Sequence, residues 1–199
     1  YVSLGRASPA SAPTDTMRVM RTPLIADQIT RQLGAAARGL QIEVRASTPS
    51  TNAELRARIP QLSAPMLLAT ENQTAGRGRA GRSWSSAIGD SLCFSLAWPF
   101  EGGINRLTGL PLAVGVAVAN ALHQLGWSVQ LKWPNDLLLD GAKLGGVLIE
   151  SATHHEAENG TRVWAVIGVG INVHPNAQRD ATIDHPTAYL SSQALDRNN

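Results

Sequence analysis

The densest chemistry in the sequence lies in Gly76-Arg77-Gly78-Arg79-Ala80-Gly81-Arg82-Ser83-Trp84. Glycines let backbone N–H groups come close to an anion. Arg77, Arg79 and Arg82 offer charged, multi-donor contacts to phosphate or carboxylate. Trp84 adds a flat apolar face for a base or a ring. The same composition also suits an RNA-binding segment or a merely basic surface loop.

A second cluster is Lys132-Trp133-Pro134-Asn135-Asp136, followed by Lys143-Leu144-Gly145-Gly146. A lone strand lysine commonly snorkels to the surface. Two lysines flanking a hairpin of almost wholly apolar residues are less usual. Asp136 can pair with Lys132 or hold Mg²⁺ through its carboxylate. An Asx turn at Asn135-Asp136 is the structural alternative. The third segment, Gly168-Val169-Gly170-Ile171-Asn172, sets two glycines at a strand end, where something approaches the backbone closely. Asn172 can read a nucleobase edge or cap a turn.

These segments need a frame. Leu24, Ile25, Ile29 and Leu33 share one face of a helix expected over residues 24–38. A short strand follows at 41–45. Thr51 and Glu54 have capping-box spacing, so a helix is expected to start at Asn52 and end before Pro60. Residues 66–70 read as a buried strand, and the glycine–arginine segment 73–82 as a loop. Residues 92–98 form the next strand, with Cys93 as a small buried hydrophobe. A long helix is expected over 107–125, with Pro111 tolerated in its first turn. Strands follow at 129–132, 136–139 and 144–150, the last two joined through Asp140-Gly141 as a hairpin. Residues 153–160, with His154 and His155, read as a polar surface connection. A strand at 163–167 runs into the glycine segment. The result is an α+β chain, a mixed sheet with helices on one face. No G-x-x-x-x-G-K-[ST] loop is present, so an ATP site must be built differently.

Bulk properties narrow the function classes. Of 199 residues, 43% are apolar and 16% charged, a globular balance able to bury one core. A net charge of +2 is smaller than a dedicated nucleic-acid binder would carry. The single cysteine excludes an intrachain disulfide framework and suits a reducing compartment. No uncharged apolar run reaches the ~20 residues of a membrane helix. Residues 1–20, rich in Ser, Ala, Pro and Thr, read as a flexible tail, with one domain over 21–199.

Taken together, the segments resemble the biotin–protein ligase family over roughly residues 42–175. The GRGRAGRSW stretch looks like that family's biotin- and adenylate-binding loop, KWPNDLLL with KLGGVLIE its central hairpin, and IGVGINV its closing segment. Ser50-Thr51-Asn52 matches its substrate motif, and Gln73 the glutamine that precedes the loop. The resemblance implies a catalytic core akin to lipoate-attaching enzymes and class II aminoacyl-tRNA synthetases. It implies that Ser50, Thr51 and Gln73 bind biotin through its ureido group, with Asn52 a further binding residue of the same motif. Gly76, Arg77, Gly78, Arg79 and Arg82 would fold over biotin and the adenylate phosphate, with Trp84 and Asn172 near the adenine. Lys143 would stand between the biotin carboxylate and the α-phosphate. Gly146, Gly168 and Gly170 would line the site. Lys132 and Asp136 would lie beside the reacting phosphate, Asp136 as the aid to Mg²⁺. Arg79, Lys132, Asp136 and Lys143 form the implied catalytic set.

The implied reaction consumes biotin and ATP and modifies a lysine of a biotin carboxyl carrier protein. A lipoate or octanoyl ligase or transferase on the same fold is an alternative, as is a non-catalytic module that binds biotin or nucleotide. The expected setting is cytoplasmic, as a monomer or weak homodimer. Family members that repress transcription carry an N-terminal winged helix-turn-helix, and many carry a small SH3-like C-terminal domain. Neither pattern is legible in these 199 residues. The expectation is therefore a catalytic domain incomplete at its C-terminal end, either a natural short form or a fragment, with no DNA or membrane partner.

Overall fold

The computed structural model describes residues 23–101, 103–156, 160–183 and 185–191. The expected tail at 1–20 lies outside them. The elements in chain order are α1 (Ala26–Leu33), β1 (Gln41–Arg45), α2 (Thr51–Arg58), β2 (Met66–Thr70), β3 (Gly76–Arg77), β4 (Ser83–Trp84) and β5 (Ser91–Phe100). There follow α3 (Leu110–Gln124), β6 (Val129–Lys132), β7 (Asp136–Leu139), β8 (Ala142–Glu156), β9 (Gly160–Asn172) and α4 (Ala177–Asp180). Seven strands form one sheet in the order β1-β2-β5-β9-β8-β7-β6, while β3 and β4 pair separately. Only the β1–β2 pair is parallel, so the sheet is mixed, as expected.

The helices are distributed differently from the sequence reading. Leu55 and Ile59, at and just after α2, pack with Trp164 and Val166 of β9. Ala119 and Leu122 of α3 pack with Val169 and Ile171 of the same strand. Successive side chains alternate across a strand, and β9 keeps unbroken register with both neighbours. The two helices therefore cover opposite faces. α2 covers only part of its face, and the candidate site occupies the remainder.

Several elements differ in detail. The pattern at Thr51 and Glu54 predicts a capping box one residue late. Ser50 is the N-cap instead, and its Oγ accepts from the Ala53 N–H at 3.4 Å. Glu54 is drawn away from the backbone by the Thr48 hydroxyl, Arg45 and Arg58. The long helix is split: a short turn at Ile104–Leu107 precedes α3, with Gly109 between in the left-handed region. Taken as one span, Ile104–Gln124 is 21 residues long and apolar enough to cross a membrane by length and composition alone. This amends the reading that no run approaches that length. The helix over 24–38 shortens to α1, and its apolar face stays partly exposed, as Ile25 and Leu33 show. The connection expected over 153–160 is largely strand. β8 and β9 form a long hairpin, and His154 is the cross-strand partner of Arg162. The Asp140-Gly141 turn is as predicted: both residues have positive φ, which the favoured two-residue hairpin turn requires.

After β9 the chain is bound back by a buried ion pair. Arg179 on α4, 5% exposed, lies 3.4 Å from Asp90, 3% exposed. It also donates to Ser91 and to the His174 carbonyl, and it stacks 5.4 Å from the Tyr189 ring. Asp90 receives Asn176, and its carbonyl accepts from Val173. Burial acts to raise the Asp180 carboxyl, but hydrogen bonds from Tyr189, the Asn176 backbone and Arg179 outweigh it and hold the group below its usual range. That contribution is complete above the ordinary aspartate pKa and is lost as pH falls through the lowered one.

Arg179→Met leaves the Asp90 carboxylate buried without its cation. A loss of about 3–5 kcal/mol is expected, read as a lower denaturant midpoint. The double variant Asp90→Asn/Arg179→Met is expected to lose less, because no unpaired charge remains.

Candidate functional site

A cavity of about 630 Å³ opens on the α2 face of the sheet. Its floor is the part of β9 that lacks side chains. A Cβ at Gly168 would lie 2.2 Å from Asn52 Oδ1, and one at Gly170 would lie 2.6 Å from the Trp84 ring. Glycine at these positions lets the start of α2 and the β3–β4 loop rest directly on the strand.

One end of the cavity is neutral. Thr51 and Asn52 sit in the first turn of α2 and are buried. Gln73 stands opposite, its Oε1 accepting from the Thr51 N–H at 2.8 Å. The Gln73 backbone N–H donates to Ser86 at 2.8 Å. Beneath them Ser95, fully buried, lies 2.7 Å from Thr51 Oγ1 and 2.6 Å from Asn52 Oδ1.

The other end is cationic. Lys143 Nζ lies 2.8 Å from Asp136. The Lys143 backbone is held on two sides: its N–H donates to the Pro186 carbonyl, while its own carbonyl accepts from Ala188 and from Asn172 Nδ2. Arg77 at the end of β3 and Arg79 and Arg82 on the loop between β3 and β4 line the cavity. That loop is folded by its own backbone, with the Gly78 N–H donating to the Arg82 carbonyl at 2.7 Å. It is tied to the sheet by Arg77, 3.2 Å from Glu150 of β8.

Most of the sequence-derived residues line this one cavity: Thr51, Asn52, Gln73, Arg77, Gly78, Arg79, Arg82, Trp84, Lys143, Gly146, Gly168, Gly170 and Asn172. Four of them stand outside its wall. Ser50 spends its hydroxyl capping α2. Gly76 is the close-packed seat of the β3–β4 pair, where a Cβ would meet the Trp84 carbonyl at 2.2 Å. Lys132 is exposed on β6, an edge strand, opposite Asp136. Asp136 stands behind Lys143, its ion-pair partner in place of the anticipated Lys132. Sequence reasoning missed Ser95 and Glu150, which act beneath and beside the wall. It also missed His185 and Thr187, which reach the cavity from the segment anchored by Arg179. No spacing signal marks Ser95; only its cross-strand position opposite Gly168 places it there.

Among the described residues no group of three or more His, Cys, Asp or Glu side chains could hold a metal ion. A cation here would have Asp136 as its protein carboxylate and would draw its other ligands from a phosphate substrate and water, an arrangement Mg²⁺ accepts.

Cys93 lies in the same strand as Ser95, 1% exposed. Burial pushes its thiol up to about 11, against polar contacts from Trp84, Ser86 and Gln73 that act to lower it. In the folded chain at pH 8 the thiolate is about one part in a thousand. A disulfide reagent is expected to modify Cys93 at least about 100-fold more slowly than in the denatured chain. Equal rates in the two states would show that the strand opens readily.

A family model described as the biotin/lipoate A/B protein ligase family matches residues 43–172. The chain is 36% identical over 178 residues to the bifunctional ligase/repressor BirA of Escherichia coli (strain K12), covering 88% of this chain and 53% of that protein. It thus spans about half the length of that curated relative. Its fold is similar to the biotin protein ligase of Leishmania major in complex with biotin, with TM-score 0.63 and 28% identity over 79% of this chain and 66% of the other. It is also similar to the biotin protein ligase of Aquifex aeolicus in complex with biotin and ATP, with TM-score 0.58 and 29% identity over 77% and 60% of the two chains. With the family pattern running from Glu43 on β1 to Asn172 at the end of β9, and so through every strand of the sheet and both the neutral and the cationic end of the cavity, the chain belongs to the biotin/lipoate A/B protein ligase family.

Proposed function

We propose that this chain is the catalytic core of a biotin–protein ligase, forming biotinyl-5'-AMP from biotin and ATP and passing biotin to a lysine of a biotin carboxyl carrier protein. The observation that carries the reading is the polarity of one cavity. Thr51 and Gln73 supply neutral hydrogen-bonding groups at one end, and Lys143 with the arginine loop supplies cations at the other. Gly168 and Asn172 are four residues apart on β9, about 13 Å of strand. A ureido ring with a carboxylate at the end of an alkyl arm matches that length and order.

In this reading the ureido group meets Thr51 and Gln73. The carboxylate oxygen attacks the α-phosphorus of ATP. A new P–O bond forms, the bond to the bridging oxygen breaks, and pyrophosphate leaves. Lys143 neutralises the two anions as they approach, and Arg79 meets the charge on the transferring phosphoryl group. Trp84 and Asn172 hold the nucleotide. Mg²⁺, when bound by Asp136 and the triphosphate, would supply further charge neutralisation. A neutral lysine amine of the carrier then attacks the acyl carbon, AMP leaves with the electron pair of the C–O bond, and the proton lost from the nitrogen passes to the departing phosphate or to water. A loop over the mixed anhydride excludes water until that amine arrives.

Two features favour biotin over lipoate. A dithiolane ring offers neither N–H nor C=O to Thr51 and Gln73, and each buried group left unpaired costs about 1–3 kcal/mol. The arginine spacing of the loop resembles that of the biotin branch.

The deciding measurement is ATP–pyrophosphate exchange with Mg²⁺, with biotin or lipoate as the acid. Exchange is expected with biotin alone. Biotin binding without exchange would reduce the chain to a binding module, and exchange with lipoate alone would sink the biotin reading. In single-turnover formation of biotinyl-AMP, Lys143→Ala is expected to be about 30- to 1000-fold slower than the parent. Lys143→Arg should recover only part of this, since a planar guanidinium does not reproduce a compact point charge. A Lys143→Ala rate within about threefold of the parent would remove this lysine from the reacting centre.

A further inference from the structure

We infer that Ser95, buried beneath the cavity wall and not part of its lining, is a positioning residue that fixes the direction of the Thr51 hydroxyl and so makes the site demand an N–H group from its ligand. The inference deepens the biotin reading and rests on it.

The case follows from counting protons. The Asn52 amide nitrogen lies 3.2 Å from the Leu148 carbonyl and 3.0 Å from a Glu150 carboxylate oxygen. Both partners only accept, so the NH₂ group must face them. Asn52 Oδ1 is therefore the atom that faces Ser95 Oγ, 2.6 Å away. Oδ1 has no proton, so Ser95 must donate to it. Ser95 has a single proton. At the contact with Thr51 Oγ1, 2.7 Å away, Thr51 must then be the donor.

That commitment reaches the ligand side. Gln73 Oε1 accepts the Thr51 backbone N–H at 2.8 Å. The Thr51 hydroxyl lies farther from the same oxygen, at 3.2 Å, and has no proton left to give it. Thr51 Oγ1 thus presents lone pairs to the cavity, and Gln73 offers the Nε2 proton that does not meet Cys93. The matching ligand edge is an N–H beside a C=O, which is the edge of a cyclic urea. An ether oxygen or a methylene in place of the N–H would meet a lone pair. Ser95 is fully buried, so water cannot reverse the relay. Gly168 makes it possible, because a Cβ there would lie 2.2 Å from Asn52 Oδ1. Glu150 anchors its far end, held in turn by Arg56 at 3.0 Å and Arg77 at 3.2 Å.

The test compares biotin with its two carbamate analogues, each with one ring N–H replaced by oxygen. Dissociation constants are measured by calorimetry for the full chain, Ser95→Ala and Ser95→Cys. The parent is expected to bind one analogue at least about 30-fold more weakly than biotin. In Ser95→Ala the Thr51 hydroxyl regains its proton and can turn to donate. The ratio of analogue to biotin constants should then fall at least about tenfold. Ser95→Cys keeps the volume but is a poor donor, so its ratio should lie between; it carries the test if Ser95→Ala does not fold. A general loosening of the site would weaken all three ligands and leave the ratio unmoved. A ratio within about threefold of the parent in both variants overturns the relay. So does a parent that binds both analogues as well as biotin. A parent that binds no biotin at all overturns the biotin reading itself.

Discussion

The cavity exists because β9 carries no side chain where α2 and the arginine loop come down on it. Ordinary strand packing would put a Cβ between the sheet and whatever covers it. At Gly168 and Gly170 such an atom would overlap the Asn52 amide and the Trp84 ring, at 2.2 and 2.6 Å. The close approach brings hydrogen-bonding groups of a helix start onto the bare backbone of a central strand. The neighbouring rows on the same face are filled by Trp164 and Val166, which pack with Leu55 and Ile59. α2 is thus seated by apolar burial at one end, while its first turn is free for chemistry at the other.

Glu150 ties the two covering elements together. It receives Asn52 from the start of α2, Arg56 from the same helix and Arg77 from the loop. One carboxylate on β8 thereby couples the neutral recognition end to the arginine loop. On the opposite side the Asp90–Arg179 pair holds the chain after β9 in place, and from that segment Pro186 and Ala188 clasp the Lys143 backbone. Parts of the site far apart in sequence are therefore positioned by two buried or half-buried carboxylates.

Much of this was legible in the sequence. Glycine–arginine density marked the loop, two glycines at a strand end marked the floor, and Asp140-Gly141 marked the hairpin that delivers Lys143. Strand positions followed from short apolar runs. Three kinds of information were not local. The face on which each helix lies depends on strand parity in three dimensions, so α2 and α3 on opposite faces left no trace in their own residues. The partner of Asp136 depends on the register shift in the β7–β8 pair, which brings Lys143 to it. The N-cap at Ser50 depends on Arg45 and Arg58 claiming Glu54, and they come from β1 and the far end of α2. Ser95 is the extreme case: a serine in a strand has no sequence signature, and its role arises from what lies above it.

The two ends of the cavity are held by interactions of different strength. At the neutral end Thr51, Asn52 and Ser95 are 3%, 4% and 0% exposed, and each hydrogen bond there replaces water that cannot return. Breaking one strands a buried polar group, at about 1–3 kcal/mol. At the cationic end the tether of the loop is Arg77–Glu150, whose arginine side chain is 49% exposed. Pairs of that kind contribute about 0–1 kcal/mol. In the proposed function, recognition of a neutral ring rests on a rigid, pre-paired floor, whereas the charges proposed to meet phosphate sit on a loop that can exchange one carboxylate for another anion at little cost. The proposed reaction, in which one acid is bound selectively and a nucleotide is admitted and then released, calls for that asymmetry: specificity is preorganised where the ligand would not change, and the charged groups are loosely held where it would.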